Sequence, residues 1–383
     1  MDAPQENRGR ATEAENTPPA GTVAGDSTAY ADRIVAAALG FAEMASIALG
    51  ERLGWYRALF DAGSGGLTPE ELAERSKTQP RYAKEWLEQQ AVAGLLTAML
   101  DGEPLSGPSH RFSLPTGAAA VLVDEDSLDY LAPMGRMLVA GVGHFPELLQ
   151  AYRAGGGVAW SQLGEEARES QAELNKPWFD QRLAAALAGS AEVHAILARP
   201  GARIMDLGAG FGWSTLALAD AYPDAEVVGV DIDEPSIRRA RENAGARGTS
   251  ERVSFALADA GDLAAPGSCD AVFIFEALHD MPFPVRVLSA IRRIVKPDGV
   301  VVVMDEAVAD TFAPGGDEVE RLMYGYSLLV CLPDSLSTPG SVGTGTPMRQ
   351  ATLEGYAAQA GFSRVERLSI EDFSVFRFYR LHL

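Results

Sequence analysis

The stretch from Arg203 to Trp213, RIMDLGAGFGW, decides the fold of this chain. Its first five residues form a short, mostly apolar run that predicts a β-strand, and glycines follow at positions 208, 210 and 212. Glycine lets the backbone turn tightly and come close to a ligand. The stretch therefore predicts a strand that ends in a glycine-rich turn, with a helix that begins at about Ser214.

The chain beyond this turn alternates between short β-rich runs and helical segments. The runs are EVVGV at 226–230, VSFAL at 253–257, AVFIF at 271–275 and VVVVM at 300–304. Such alternation is typical of a parallel sheet with helices on both faces. Two further runs, 364–370 and 374–381, predict an antiparallel hairpin at the edge of this sheet.

Two acidic residues follow the next two predicted strands. Asp231 ends the second strand, and an acid there can accept hydrogen bonds from both hydroxyls of a ribose. Asp259 follows the third strand and can accept a hydrogen bond from the exocyclic amine of adenine. The glycine turn contains no basic residue that would neutralise a phosphate. The pattern therefore predicts a site for a ribose-adenine ligand that lacks a pyrophosphate.

The segment 200–305 resembles the class I S-adenosylmethionine-dependent methyltransferases. The resemblance is carried by DLGAGFG, by the acids at 231 and 259, and by the turn Lys296-Pro-Asp-Gly299 before the last parallel strand. It implies a seven-stranded Rossmann-like α/β sheet and S-adenosyl-L-methionine as the cofactor. The cofactor-binding residues that it implies are Asp206, Gly208, Gly210, Phe211, Gly212, Asp231, Ile232, Asp259, Ala260, Phe275 and Glu276. The alternative is a dinucleotide-binding dehydrogenase, although Trp213 stands where that fingerprint needs its last glycine.

Residues 271–288, AVFIFEALHDMPFPVRVL, resemble the small-molecule O-methyltransferases that carry an N-terminal winged-helix dimerisation domain. This resemblance implies a homodimer and implies that His279 is the general base, with Asp305 and Glu306 beside it. A neutral imidazole can take a proton from a hydroxyl near neutral pH, and a carboxylate can fix its tautomer. The alternative is a histidine with a purely structural hydrogen bond at a helix start. Met281 and Pro282 follow where plant-type members have a tryptophan, and the sequence is more similar to a bacterial group.

The substrate side is predicted from position along the chain. Segment 320–333 follows the last parallel strand, and the Gly/Thr-rich loop 341–349 is long enough to act as a lid. Side chains on the middle helices could form the roof of the cavity. The candidate substrate-binding residues are Met134, His144, Trp178, Met323, Tyr324, Ser327 and Arg349. The alternative for the methionine and aromatic positions is ordinary packing in the core.

The chain divides into four predicted parts. Residues 1–27 predict a disordered tail, 28–120 a winged-helix dimerisation domain, 121–198 a helical linker and cap, and 199–383 the catalytic domain. In the second part we expect one helix from Ala31 to about Phe60, and another that Thr68 caps. In the third part we expect helix breaks at 155–157 and at Pro177.

The charge balance restricts the partners. The net charge of −21, from 32 basic and 53 acidic residues, argues against nucleic acid and against a membrane surface. The apolar stretch from Ile34 to Gly50 is short for a membrane span, and no leader segment is visible. Cys269 and Cys331 predict buried free thiols in a reducing compartment, and no metal is expected. We therefore expect a cytoplasmic protein with a small-molecule substrate.

The function predicted from these features is methyl transfer to a hydroxyl of a small molecule, in secondary metabolism. One alternative is a C- or N-methyltransferase, or an enzyme in which the cofactor assists a rearrangement. Another is a winged-helix transcriptional regulator that senses the cofactor. The second alternative needs a basic recognition helix, and Arg81 and Lys84 are offset there by Glu85 and Glu88.

Overall fold

A computed structural model describes residues 27–99 and 110–383. The predicted tail lies outside this range except for Ser27, and so do residues 100–109 of the predicted winged-helix domain. By compactness the chain separates into two units, one ending at Glu43 and the other running from Met44 to Leu383. The predicted boundaries at 120/121 and 198/199 do not coincide with this division and stay predictions.

The N-terminal part consists of helices and one small hairpin. Its elements are α1 (Ser27–Arg52), α2 (Trp55–Ala62), a 3-10 turn (Gly63–Gly65), α3 (Pro69–Ser76), α4 (Pro80–Val92), β1 (Thr97–Met99) and β2 (Arg111–Ser113). The strands β1 and β2 are antiparallel. Three helices followed by a hairpin are the elements that a winged helix needs, and that assignment stays a prediction.

Two local predictions in this part have different outcomes. The single helix expected from Ala31 to Phe60 is wrong, because Gly54 adopts a left-handed φ of 69° and separates α1 from α2. The cap at Thr68 is confirmed: its hydroxyl accepts from the Glu71 amide, and the Glu71 carboxylate accepts from the Thr68 amide.

Helix α1 is longer than the apolar stretch that the sequence suggested. Its 26 residues, with a mean hydropathy of 1.5 over an 18-residue window, make it long and apolar enough to cross a membrane, by length and composition only. The expectation that this segment is too short for a span is therefore wrong, because the helix extends beyond Ile34 and Gly50 at both ends. Core helices and signal sequences pass the same test, so the finding does not place the helix in a membrane.

The middle of the chain is helical. Its elements are α5 (Thr116–Leu122), α6 (Pro133–Gly143), α7 (Phe145–Ala154), α8 (Trp160–Trp178), a π-helical turn (Phe179–Leu183), α9 (Ala184–Gly189) and α10 (Ala191–Leu197). The break expected at 155–157 is confirmed, since this segment separates α7 from α8. The break expected at Pro177 is wrong, because α8 includes this proline and continues into the π-helical turn. The non-helical residue of α8 is instead Gly164, with a φ of 80°.

A buried arginine joins three helices of this region. The side chain of Arg136 on α6 is 2% exposed and pairs with Glu51 of α1 at 2.8 Å. It also pairs with Glu169 at 3.4 Å and with Glu173, both of which lie on α8. A buried charge of this kind is tolerated only while its partners remain.

Replacement of Arg136 by alanine is expected to lower the free energy of unfolding by about 3–5 kcal/mol, because it leaves the half-buried Glu51 and Glu173 without their ion-pair partner. Denaturant titration followed by circular dichroism measures this change. Arg238→Ala is the matched control, since Arg238 makes an exposed pair with Glu234 on one helix, worth at most about 0.5 kcal/mol. Equal losses in the two variants would contradict the prediction.

The C-terminal part contains a seven-stranded sheet with helices on both faces. The strands are β3 (Arg203–Leu207), β4 (Glu226–Asp231), β5 (Val253–Leu257), β6 (Cys269–Phe275), β7 (Val295–Glu306), β8 (Arg364–Arg367) and β9 (Phe376–His382). Their order is β5-β4-β3-β6-β7-β9-β8. The first five are parallel, and β9 pairs antiparallel with both β7 and β8. The predicted α/β fold with a seven-stranded Rossmann-like sheet is confirmed.

The helices and turns that flank this sheet complete the fold. They are α11 (Trp213–Ala221), α12 (Glu234–Arg247), a 3-10 turn (Ala260–Asp262), α13 (Pro284–Ile294), α14 (Glu318–Tyr326), a π-helical turn (Ser327–Cys331), α15 (Leu332–Ser337) and α16 (Gln350–Gln359). Every residue of β6 is buried, so this strand lies at the centre of the core. The predicted Lys296–Gly299 turn belongs to an irregular first half of β7, where the register against β6 shifts.

Candidate active site

One cavity of about 540 Å³ lies at the carboxyl ends of the parallel strands. Its wall combines the ends of β3, β4 and β6 with residues of α6, α8 and the π-helical turn at 327–331. The order of the sheet reverses between β4 and β6, on either side of β3. In open α/β sheets, ligands bind outside the carboxyl ends of the strands at such a reversal. The cavity is therefore the candidate active site.

The glycine turn forms one side of this cavity. Gly208, Gly210 and Gly212 all have positive φ angles, of 76°, 51° and 82°. A Cβ atom on Gly208 would lie 2.6 Å from the Cβ of Ala277, so a side chain does not fit there. Gly208, Gly210 and Phe211 line the cavity, whereas Gly212 packs against the Phe255 ring behind the turn.

Asp231 connects the glycine turn to the end of β4. Its Oδ2 accepts from the Gly210 amide at 2.8 Å, and its Oδ1 accepts from the Asp233 amide at 2.8 Å. Each carboxylate oxygen keeps a further lone pair, and Asp231 lines the cavity. Next to it, the side chain of Ile232 is 72% exposed at the cavity wall. An exposed aliphatic group beside an acid offers an apolar contact for a planar base attached to a ribose.

Asp206 lies behind the glycine turn and does not line the cavity. It is fully buried, and its Oδ2 accepts from the hydroxyls of Ser214 and Thr215 at 2.6 Å each. Burial raises its pKa to about 6. The predicted cofactor contact is therefore not what the geometry shows: this carboxylate joins β3 to the start of α11 and supports the turn.

The other predicted cofactor residues lie on the wall. Asp259 accepts from the Gly261 amide at 2.7 Å and pairs with Arg286 at 3.2 Å. Ala260 and Phe275 also line the cavity. The wall thus offers an acid at the end of β4, an acid after β5 and an apolar face between them, without a cation in the glycine turn. These features fit S-adenosylmethionine.

Glu276 has a strained backbone at the end of β6. Its φ is 49°, which is uncommon for a residue with a side chain and is found at functional sites. The carboxylate accepts from the Asn175 amide group of α8 at 2.6 Å. Burial raises its pKa to about 7, although the hydrogen bond from Asn175 and the charge of His279 oppose the shift. The predicted cofactor residue Glu276 therefore lines the cavity as a half-buried acid.

His279 is buried among three carboxylates. Its Nδ1 lies 3.0 Å from Oδ1 of Asp305 and 3.3 Å from Oε2 of Glu306. Its Nε2 lies 3.3 Å from Oδ1 of Asp280. The parallel register pairs Phe275 with Met304, which brings the end of β7 beside the turn that follows β6. The predicted juxtaposition of the histidine with the two acids after Met304 is thus present, whereas Asp280 was not among the predicted residues.

The protonation of this cluster follows from burial and mutual charge. Burial acts to lower the pKa of His279, but the charges of Asp280, Glu306 and Asp305 outweigh it and raise the pKa well above its usual value. Burial raises the pKa of Glu306 well above its ordinary range. His279 keeps the pKa of Asp305 below its usual value in spite of burial. The mutual charges therefore favour the imidazolium form of His279 and the ionised form of Asp305, and burial favours the protonated form of Glu306.

Two clusters that share His279 are close enough to bind a metal ion. One consists of His279, Asp280 and Cys331, and the other of His279, Asp305 and Glu306. Within each cluster, the atoms that could bind the metal lie within 4.8 Å of one another. In the second cluster the imidazole already pairs with Asp305 at 3.0 Å. The expectation that the protein uses no metal stays a prediction.

The predicted substrate residues divide into two groups. Met134, Trp178 and Met323 line the cavity. The others do not lie on its wall and are His144, Tyr324, Ser327 and Arg349. Arg349 pairs with the buried Glu320 at 2.5 Å and lies 3.3 Å from the hydroxyl of Tyr324, so it is a structural residue. The structure thus places these four residues off the wall of the cavity, and a role for them in substrate binding stays a prediction.

The π-helical turn at 327–331 explains why the sequence analysis did not predict part of the cavity wall. A π-helical turn has i to i+5 hydrogen bonds, so side chains five residues apart share a face. Tyr326 and Cys331 therefore both line the cavity, together with Asp334 farther along. An α-helical spacing from Met323 selects Ser327 instead. The local sequence carries no clear signal for such a turn.

Thr346 on the Gly/Thr loop also lines the cavity. The sequence predicted this loop as a lid without identifying the residue that reaches the cavity. Cys331 is a free thiol, as expected, but it lies on the wall of the cavity rather than in the core. Burial and the charge of Asp280 raise its pKa to about 12, so the thiol is protonated at neutral pH.

Comparison with known sequences assigns part of the chain. Residues 198–331 match the family described as "Methyltransferase domain". The chain is 33% identical over 125 residues to 27-O-demethylrifamycin SV methyltransferase of Amycolatopsis mediterranei, which covers 32% of this chain and 46% of that protein. It is 33% identical over 172 residues to arsenite methyltransferase of Halobacterium salinarum, which covers 44% and 39%. The chain thus spans less than half the length of these curated relatives.

Solved structures share the fold over nearly the whole chain. The mitomycin 7-O-methyltransferase MmcR has a TM-score of 0.66 at 21% identity and covers 93% of this chain and 98% of its own. Human N-acetylserotonin methyltransferase, solved with its cofactor, has a TM-score of 0.66 at 17% identity, over 94% and 99%. NcsB1 from neocarzinostatin biosynthesis has a TM-score of 0.61 at 20% identity, over 89% and 96%. At these identities the likeness establishes the fold.

Proposed function

Because residues 198–331 form a class I S-adenosylmethionine-dependent methyltransferase domain, we propose that this protein methylates a hydroxyl group of a small molecule. The observation that carries the proposal is the cavity itself, whose wall holds both the glycine turn and His279, a buried histidine that pairs with the carboxylate of Asp305. Its neighbours in fold include O-methyltransferases whose acceptors are small molecules, which supports an oxygen acceptor.

The cavity residues would have separate roles in methyl transfer. Bound S-adenosylmethionine supplies an electrophilic methyl group. Asp231 and the glycine turn bind and orient the cofactor, and the apolar wall excludes water. His279 takes the proton of the acceptor hydroxyl, and Asp305 fixes the ring and stabilises the imidazolium. Alignment of donor and acceptor at short distance supplies much of the acceleration.

Calorimetry with S-adenosylhomocysteine, followed by turnover of an acceptor library, tests this function. We expect saturable binding of S-adenosylhomocysteine and release of the same compound with hydroxyl-bearing acceptors. Binding without turnover of any hydroxyl, but with turnover of amines or carbon nucleophiles, would replace O-methylation by the alternative below. Absence of binding would contradict the proposal as a whole.

The pH dependence of turnover gives a further prediction. A base must be neutral to accept a proton, and the pKa of His279 is raised well above 6.5. We therefore expect kcat/KM to rise with pH through an acidic limb above pH 6.5. Asp280→Asn removes one of the charges that raise this pKa, so the limb should move to lower pH. The exposed Asp298→Asn serves as the control. If the acidic limb lay at the same pH in the wild type and in both variants, the assignment of His279 as the base would be contradicted.

A second candidate function is methyl transfer to carbon or nitrogen, or a rearrangement that the cofactor assists. Both ring nitrogens of His279 face carboxylates, at 3.0 Å and 3.3 Å, which favours an orienting role over proton removal. A sterol 24-C-methyltransferase of Gibberella zeae is 31% identical over 129 residues, covering 33% of this chain and 33% of that protein. If His279 only orients the acceptor, the variant His279→Gln should retain substantial turnover.

We also propose that the protein is a homodimer of the cytoplasm and that it acts in secondary metabolism. Support for the dimer comes from α1, where Ile34 and Leu39 are 70% and 59% exposed. Sedimentation velocity without detergent should give a single dimer, and Leu39→Glu should give monomers. A wild-type protein that partitions into lipid vesicles would contradict the dimer and the cytoplasmic location. Methylation of an antibiotic-type acceptor in the library would support the metabolic role.

A further inference from the structure

The half of the cavity around His279 has an excess of negative charge. Asp280 and Asp334 both line it, and among the described residues neither is within ion-pair distance of a lysine or arginine. The two guanidinium groups on the wall are already paired. Arg168 makes a bidentate pair with Asp233 at 2.7 Å, and Arg286 pairs with Asp259 and Asp262. No cation of the described wall except His279 therefore compensates Asp280 and Asp334.

Unpartnered polar atoms in the same place point to a ligand. The hydroxyl of Thr346 is buried without a hydrogen-bond partner in the described chain, and the residue is 2% exposed. The hydroxyl of Tyr326 is likewise buried and has no hydrogen-bond partner in the described chain. Both residues line the cavity. Buried polar groups are almost always satisfied, so these atoms are expected to bind a polar group of the acceptor.

The negative charges of Asp280 and Asp334 repel each other, because no lysine or arginine of the described chain neutralises them. Burial raises the pKa of Asp334 to about 7, and the charge of Asp280 adds to the shift. The backbone amide of Trp160 donates to Asp334 at 2.6 Å and only partly offsets this. A cation of the acceptor would relieve the repulsion, whereas a second anion would add to it.

We propose that the acceptor carries a protonated amine, which the carboxylates of Asp280 and Asp334 bind beside the hydroxyl that is methylated. This inference rests on the proposed function, because it assumes that the acceptor occupies this half of the cavity. The rest of the wall is aromatic and methionine-rich, with Tyr130, Trp160 and Met323 among its residues. The acceptor class is therefore an aromatic hydroxyamine.

Matched pairs of probes test the charge. Tyramine and N-acetyltyramine share a phenol and differ in the charge on nitrogen, and 5-hydroxytryptamine with its N-acetyl derivative forms a second, larger pair. Calorimetry uses the full chain saturated with S-adenosylhomocysteine at pH 7. We expect the charged member of at least one pair to bind about tenfold more tightly, as a charge-assisted contact predicts. Equal or weaker binding of both charged members, or no binding of any probe, would overturn the inference.

Two further readouts connect the preference to the two acids. Binding of the amine should lower the pKa of Asp334 and release of the order of half a proton at pH 7, measured in buffers of different ionisation enthalpy. The neutral probe should release none. Asp334→Asn keeps an oxygen for the Trp160 amide and should remove both the preference and the proton release. Asp61→Asn, exposed on α2, is the control. An unchanged preference in Asp334→Asn would overturn the assignment.

The outcomes separate the two proposals. Failure of S-adenosylhomocysteine to bind would contradict the proposed function and the inference with it. Binding of S-adenosylhomocysteine without a preference for the charged probes would contradict the inference alone.

Discussion

Replacement of His279 by alanine is expected to lower kcat by about 10²- to 10⁴-fold, the usual contribution of a positioned general base. The imidazole is buried, lies 3.0 Å from the carboxylate of Asp305 and faces the cavity. No other histidine lines this cavity among the described residues, so no equivalent group replaces it. The measurement is steady-state turnover of an acceptor from the library, with the affinity for S-adenosylhomocysteine determined in parallel.

The affinity measurement separates lost chemistry from lost structure. His279 does not belong to the glycine turn, so the variant should bind S-adenosylhomocysteine within about twofold of the wild type, a difference of less than 0.5 kcal/mol. His194→Ala is the matched control, because His194 contacts the ring of Tyr222 and lies outside the cavity. An undiminished kcat in His279→Ala would contradict the assignment of His279 as the general base and would favour its role in orienting the acceptor.

Replacement of Asp231 by alanine should weaken the binding of S-adenosylhomocysteine by about 100-fold, which corresponds to roughly 3 kcal/mol. Two charge-assisted hydrogen bonds to a ribose, each worth about 1.5–3 kcal/mol, account for a loss of this size. The variant also removes the acceptors of the Gly210 and Asp233 amides, so the glycine turn loses its connection to β4. Isothermal calorimetry measures the affinity directly.

Asp224→Ala provides the comparison for this variant. Asp224 is exposed at the opposite end of β4, and its side chain does not line the cavity. The control should bind S-adenosylhomocysteine like the wild type. If Asp231→Ala did so as well, the end of β4 would not be the ribose site, and the assignment of the cofactor residues would need a different basis.

The sheet and the cofactor side could be predicted because their signals are local. A strand followed by glycines requires those residues at those positions, since a side chain on Gly208 would collide with Ala277. The acid at the end of β4 is also fixed by its place after a strand. Asp206 shows the limit of this reasoning, because a pattern places an acid near the turn without showing which side of the backbone it occupies.

The acceptor side could not be predicted because its residues come from distant segments. Asp280, Asp334 and Thr346 meet only after β6, α15 and the Gly/Thr loop have packed around the cavity. The sequence could not predict the partners of Arg349 either, since Glu320 becomes buried only through the packing of α14. Spacing along one helix is informative only while that helix keeps a regular period.

The π-helical turn at 327–331 holds one residue more than a regular α-helix would place there. Deletion of one residue within the turn would let the segment continue as an α-helix. Tyr326 and Cys331 would then be four positions apart, a spacing at which side chains of an α-helix still share a face. Cys331 and Asp334 would therefore stay on the wall of the cavity. The turn acts as a one-residue insertion that the helix absorbs locally, so a change of length at this point leaves the acceptor surface in place.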